Sequence, residues 1–175
     1  TDKLVVYGGV LPNSFNLAAS SFEFGEWNRY DTAGQPWSTE VIQHNNNWTI
    51  LWTETGYDDG TRVAVNYDNA VPASQLWSLI RNEYNTSDQL MVVSTFMDDG
   101  TRFYENFDPA DVQTWTRIRN DYNTADALTQ VLTYMDDGTR FDEFFDPTDQ
   151  QVWSRVRYDY DINLNLLQQI VNLDG

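Results

Sequence analysis

Asp-Asp-Gly-Thr-Arg occurs three times in this chain, at residues 58–62, 98–102 and 136–140, and each copy lies inside a longer pattern that repeats with it. Aligning the copies places Trp37, Trp77, Trp115 and Trp153 in one column, so successive units are 40, 38 and 38 residues long. His44, Tyr84, Tyr122 and Tyr160 follow seven residues later, and Asp58, Asp98, Asp136 and Asp174 fourteen after those. A period of this length identifies a repeat architecture, in which one unit cannot bury its own apolar face and stacked neighbours supply the missing contacts. The expected organisation is a single repeat domain over 1–175, with a divergent leading unit at 1–36, full units at 37–76, 77–114 and 115–152, and a shortened last unit at 153–175.

Charge narrows the partners. Ten basic against 27 acidic residues give a net charge of −17, which repels nucleic acid and anionic membrane surfaces. No stretch approaches the roughly 18 apolar residues of a membrane span, so membrane insertion is not expected. With 41% hydrophobic and 15% aromatic residues, the chain can bury a sizeable core. Cysteine is absent, which removes disulfides, thiolate metal sites and cysteine nucleophiles. A chain opening on Thr1 without a signal-like segment reads as a processed or excised piece.

Each unit reads as a hairpin followed by a helix, giving an α+β fold whose hairpins extend an antiparallel or mixed sheet with helices on one side. Asp108-Pro109 and Asp146-Pro147 have the form of helix N-caps followed by proline in the first turn, so helices are expected to begin near 109 and 147. Trp115, Ile118, Arg119 and Tyr122 fall at i, i+3, i+4 and i+7, as do Trp153, Val156, Arg157 and Tyr160, and Trp77, Ile80, Arg81 and Tyr84. Asp-Gly at each tip favours a two-residue type I′ turn. That turn predicts Phe96 opposite Phe103, Ser94 opposite Glu105, and Tyr134 opposite Phe141, with these mostly aromatic sides forming the core against the helices.

Charges punctuate the expected core. Glu54, Glu105 and Glu143 lie on the apolar side of the hairpins, and Arg81, Arg119 and Arg157 lie on the helical stripes. Burying either partner alone is costly, so the pairs Glu54–Arg81, Glu105–Arg119 and Glu143–Arg157 are expected as structural ion pairs.

Candidates for chemistry are few. No cofactor is expected; the alternative is calcium, for which Asp58, Asp59, Asp98, Asp99, Asp136 and Asp137 are hard oxygen donors. Yet their spacing matches neither the EF-hand loop nor the glycine-rich calcium nonapeptide, and Asp-Gly already has a turn explanation. His44 is the only histidine and occupies a column otherwise filled by Tyr, which favours packing over catalysis. No phosphate-binding glycine loop is present. A carboxylate pair for glycoside hydrolysis can be drawn anywhere among 27 acids and so carries no information. Trp27, Trp48 and Trp52 stand outside the repeat columns in the divergent first third, beside Asn45, Asn46 and Asn47. Rings and amides together suit a sugar, whereas atypical terminal units also use such rings to close a stacked core.

The run from Trp115 to Asn123 followed by Asp136 to Asp146, with its counterparts over residues 37–175, resembles repeats of long secreted bacterial proteins of the RTX, or hemolysin-type calcium-binding, kind. The resemblance implies export of an acidic, cysteine-free chain and a surface or adhesive role, but the calcium nonapeptide of that family is missing. The expected function is a non-enzymatic structural or binding module of a secreted or cell-surface protein. Its expected partners are neighbouring repeats of a longer parent chain and a protein or glycan ligand. Carbohydrate binding, calcium binding and, last, glycoside hydrolysis are the alternatives. Any specific site is expected where the repeat breaks down, in residues 1–57.

Overall fold

A computed structural model of the chain describes residues 3–7, 24–30, 34–45, 47–69 and 75–174. Among them there are thirteen β-strands and no helix. Contacts divide the chain into two compact units, residues 1–89 and 90–175. The first holds β1 (Lys3–Tyr7), β2 (Phe24–Tyr30), β3 (Trp37–Asn45), β4 (Ile50–Tyr57), β5 (Arg62–Tyr67) and β6 (Trp77–Tyr84). The second holds β7 (Leu90–Met97), β8 (Arg102–Phe107), β9 (Trp115–Tyr122), β10 (Leu128–Met135), β11 (Arg140–Phe145), β12 (Trp153–Tyr160) and β13 (Leu166–Leu173). Within each unit every strand pairs antiparallel with the next, giving two up-and-down meanders.

The α+β expectation is therefore wrong: the three supposed helical stripes are strands β6, β9 and β12. A β-bulge explains the misleading period. Between Trp115 and Arg117 the register of β9 against β10 slips by one, and β12 slips likewise between Trp153 and Arg155. The extra residue returns each Trp to the side that carries Ile118 and Tyr122, or Val156 and Tyr160, so i, i+3 and i+7 share one side of an extended strand. Arg119 and Arg157 fall on the opposite side. Eight residues rich in aromatic and β-branched side chains are also too few for a helix to sustain itself.

The Asp-Pro segments cap turns instead of helices. The Asp108 carboxylate accepts the Gln113 amide at 2.5 Å, and the Asp111 amide donates to the Asp108 carbonyl at 3.2 Å. Asp146 repeats this with Gln151 at 2.5 Å and Asp149 at 3.3 Å. Asp111 and Asp149 complete these turns at φ +53°, a left-handed conformation that Asp tolerates better than most residues.

The hairpin tips correct the predicted register by one residue. The Met97 amide donates to the Thr101 carbonyl and the Gly100 amide to the Met97 carbonyl, so the loop is Asp98-Asp99-Gly100, with Gly100 alone left-handed at φ +85°. This is a type I turn closed by a glycine bulge. Phe103 consequently faces Thr95, Tyr104 faces Ser94, and Glu105 faces Val93. In the next copy Phe141 faces Thr133 while Tyr134 faces Arg140.

Among the described residues no helical layer covers either side, and burial is shallow. Ala64 and Val156, each 5% exposed, are the buried apolar residues among those described. Small or polar residues such as Ser94, Thr95 and Thr133 are as deeply enclosed. The expected aromatic core on one side does not form. Cross-strand neighbours and ring contacts, such as Tyr104 against Tyr122 at 5.6 Å, hold the sheet instead.

Candidate functional site

The repeated pentapeptide is a self-contained clasp. Asp59, Asp99 and Asp137 each accept the amide of the Thr two residues on at 2.9 Å and its hydroxyl at 2.6 Å. The hydroxyl bond first, and the amide bond after it, hold these three carboxylates below the ordinary carboxylate range. The first Asp anchors the strand start instead. Asp58, Asp136 and Asp174 donate their amides to the carbonyls of Pro36, Thr114 and Val152, at 3.2, 3.2 and 3.3 Å.

The closing Arg reaches across to the neighbouring strand and its turn. Arg62 lies 3.5 Å from the centre of the Tyr84 ring, bonds Asp88 at 2.5 Å and bonds Glu54 at 2.9 Å. Arg102 lies near Tyr104 and Tyr122 and pairs with Asp126. Arg140 lies near Tyr134 and Tyr160 and pairs with Asp142, which is only 4% exposed. Side-chain bonding to Asp88 and Asp142 raises the affinity of Arg62 and Arg140 for their protons.

The expected ion pairs are replaced by others. Glu105 and Glu143 do face Arg119 and Arg157 across the ladder. Glu105 nevertheless pairs with Arg117 at 3.3 Å, and Glu143 with Arg155. Arg119 turns to Asp121, Arg157 to Asp159, and Arg81 to Glu83, each along its own strand. Glu54 faces Ala64 whereas Arg81 faces Val65, so these two point to opposite sides.

Among the described residues no group of three or more acidic or histidine side chains is arranged to hold a metal ion. Asp136 is pushed above the usual carboxylate range, by burial first and then by Asp111, Asp108 and Asp137. Asp58 and Asp98 open their loops beside the Thr-capped Asp59 and Asp99.

The three candidate Trp, all in the first unit, do not occupy equivalent places. Trp27 pairs in register with Ile42, and its side chain lies outside the described residues. Trp52 pairs with Gln43 on one side and Asn66 on the other. Trp48 takes the left-handed position of a turn at φ +61° and packs on His44 with ring centres 4.8 Å apart. Asn45 is used by the same turn, its side-chain Oδ1 accepting the amides of Asn47 and Thr49, while Asn46 lies outside the described residues. His44 is 5% exposed, its Nδ1 has no partner among the described residues, and burial lowers its proton affinity.

An open groove of about 530 Å³ lies in the second unit, on one side of β11, β12 and β13. Trp153, Val156 and Tyr160 are repeat residues of its lining, and Phe144, Tyr158, Gln169 and Val171 are departures from the repeat. The Phe144 and Tyr158 rings meet edge to face at 5.9 Å, and the Gln169 amide donates to the Tyr158 hydroxyl at 3.3 Å. The sequence expectation of a site in residues 1–57 passed over these residues. Column-by-column comparison of the copies detects them, since Asn106 and Asn66 stand where Phe144 is, and Asn120 and Asn82 where Tyr158 is. Compared with known proteins, the chain matches no family model and no curated sequence.

Proposed function

We propose that the chain is a non-enzymatic structural and binding module, a stretch of β-meander repeats that serves a secreted or cell-surface protein by presenting broad, partly open sheet surfaces. One observation carries this reading. The residues the repeat retains are consumed in building the sheet: Asp99 and its equivalents cap their own turn, and Arg102 and its equivalents sit on neighbouring Tyr rings. None of these groups is left over for chemistry on a substrate. The acidic, cysteine-free composition and the resemblance to RTX-type repeats support an exported setting, with the repeated Asp acting as turn caps in place of calcium ligands.

Calcium separates the two uses of the acids. A specific ligand raises stability by RT ln(1 + [L]/Kd), so a true site filled a hundredfold over its Kd adds about 2.7 kcal/mol. The expected result is one thermal midpoint in millimolar calcium and in chelator. A midpoint that climbs with calcium concentration would show that the carboxylates serve a metal, and the scaffold reading of the motif would fall.

A further inference from the structure

The geometry points to a neutral oligosaccharide as the occupant of the groove on β11, β12 and β13. This rests on the binding-module reading above and adds to it a place and a ligand class.

Three of the groove's residues are common to the repeat and four are not. Trp153 and Tyr160 match Trp115 and Tyr122, and Val156 matches Ile118. Phe144, Tyr158, Gln169 and Val171 replace Asn106, Asn120, Val131 and Thr133. Because Asn-bearing copies build the same strands, the two added rings are not needed to form the sheet. What they add is an aromatic floor spanning two strands, with a phenol and an amide at its border.

The lining selects among ligands. No charged residue is among the lining residues, and the charges that face its tyrosines from β11, Arg140 opposite Tyr160 and Asp142 opposite Tyr158, are paired with each other, which leaves little for an ammonium or a carboxylate to bind. Net charge of −17 repels anions at longer range. A cation already covers part of the aromatic surface, for Arg140 lies 5.8 Å from the Tyr160 ring centre. A purely apolar ligand would leave the remaining hydrogen-bonding capacity of the Tyr158 hydroxyl and the Gln169 amide unmet, since their mutual bond is long at 3.3 Å and uses only part of it. Pyranose rings answer these conditions together. Their C–H faces lie on aromatic rings, their hydroxyls exchange hydrogen bonds with amide and phenol, and they carry no charge. The volume of about 530 Å³ lies within the range of small-ligand sites.

The test uses the whole chain with cellohexaose, chitohexaose and maltohexaose as neutral probes and hexagalacturonate as the acidic one, titrated by calorimetry. At least one neutral hexasaccharide should bind, with hexagalacturonate at least about tenfold weaker. Returning three of the four departures to the repeat, by Phe144→Asn, Tyr158→Asn and Gln169→Val together, should weaken binding at least about tenfold. A second readout is independent of that variant's folding. In protein labelled with 5-fluorotryptophan, the fluorine resonance assigned to Trp153 by Trp153→Phe should move as the neutral sugar saturates. Absence of binding by all three neutral probes at millimolar concentration, binding that survives the triple replacement in a folded variant, or a Trp153 resonance that stays fixed during saturation would each overturn the assignment. None of these outcomes bears on the calcium melt, so a failed groove and a failed scaffold reading are distinguishable.

Discussion

Gly100 and Gly138 occupy the same turn position in the second unit, at φ +85° and +83°, yet alanine should cost more at one than at the other. A left-handed alanine costs about 1–2 kcal/mol wherever it stands, because its Cβ crowds the backbone carbonyl. At Gly100 the added Cβ would lie 3.4 Å from Thr124 Cγ2, a contact that a shift of a few tenths of an ångström relieves. At Gly138 it would lie 2.8 Å from Ile162 Cγ1 and 2.9 Å from Cδ1, too close to keep. Ile162 is 66% exposed and can swing aside, at the roughly 0.5–1.5 kcal/mol of leaving a favoured rotamer. Gly100→Ala should therefore lose about 1–2 kcal/mol and Gly138→Ala about 1.5–3.5 kcal/mol, read as urea midpoints at constant slope. Thr86 and Thr124 occupy the Ile162 column in other repeats, so Ile162→Thr supplies a natural partner. Combined with Gly138→Ala it should return roughly 0.5–1.5 kcal/mol, measured as the coupling in a double-mutant cycle. Two results would refute the reasoning: Gly100→Ala without cost, which would deny the left-handed turn, or zero coupling between Gly138→Ala and Ile162→Thr, which would deny the contact.

Titration gives two further tests. Burial lowers the His44 proton affinity, so the unfolded chain takes up a proton there before the folded one does. Stability from this residue is complete above the ordinary imidazole range of about 6.5 and declines as pH falls through it. His44→Tyr, the residue of the other repeats, should flatten the melting midpoint between about pH 5 and 7; an unchanged slope there rules out the buried neutral imidazole. Asp136 has the opposite sign to a stabilising carboxylate. Its proton affinity is raised by burial and by three neighbouring acids, so its charge opposes folding at neutral pH, and the opposition disappears as the pH drops and the group protonates. Asp136→Asn should raise the melting midpoint at pH 7 and lose that advantage under acid; a midpoint lowered at pH 7 contradicts it.

Sequence made the repeat, its period and its hairpins legible because turn chemistry is local: Asp99, Gly100 and Thr101 act within one loop. It misplaced what depends on longer paths. The capping of Thr101 by Asp99 adds one residue to the loop, and a slip of one residue changes every cross-strand pair. The bulge after Trp115 gave a strand the spacing of a helix, and nothing in a period count separates the two. The ion pairs failed for a different reason. Glu105 was rightly set beside Arg119, but Asp121 is nearer to that guanidinium on the same strand, and Glu105 is left to Arg117. Of the candidate site, the groove residues were visible only as departures from a pattern whose strands had first to be assigned.

The odd number of strands per repeat decides why no single side becomes the core. Three strands reverse the chain direction from one copy to the next, and the ladder of the second unit shows that they also exchange its sides. Tyr104 faces Asn120, Asn120 faces Val131, and Val131 faces Glu143, so Tyr104 shares a side with Glu143. Asp142, the repeat counterpart of Tyr104, and Arg140, the counterpart of Arg102, therefore lie on the other side. Each side displays the Arg–Tyr surface of one copy next to the Glu–Arg surface of the following one. A one-sided apolar pattern cannot persist under that operation, which is why burial stays shallow and polar residues such as Thr95 and Thr133 are among the most enclosed. The same operation explains how a site arises. A residue changed in one copy alone appears on one side only, beside neighbours that keep the repeat, so Phe144 and Tyr158 build an aromatic floor that no other copy in the unit reproduces.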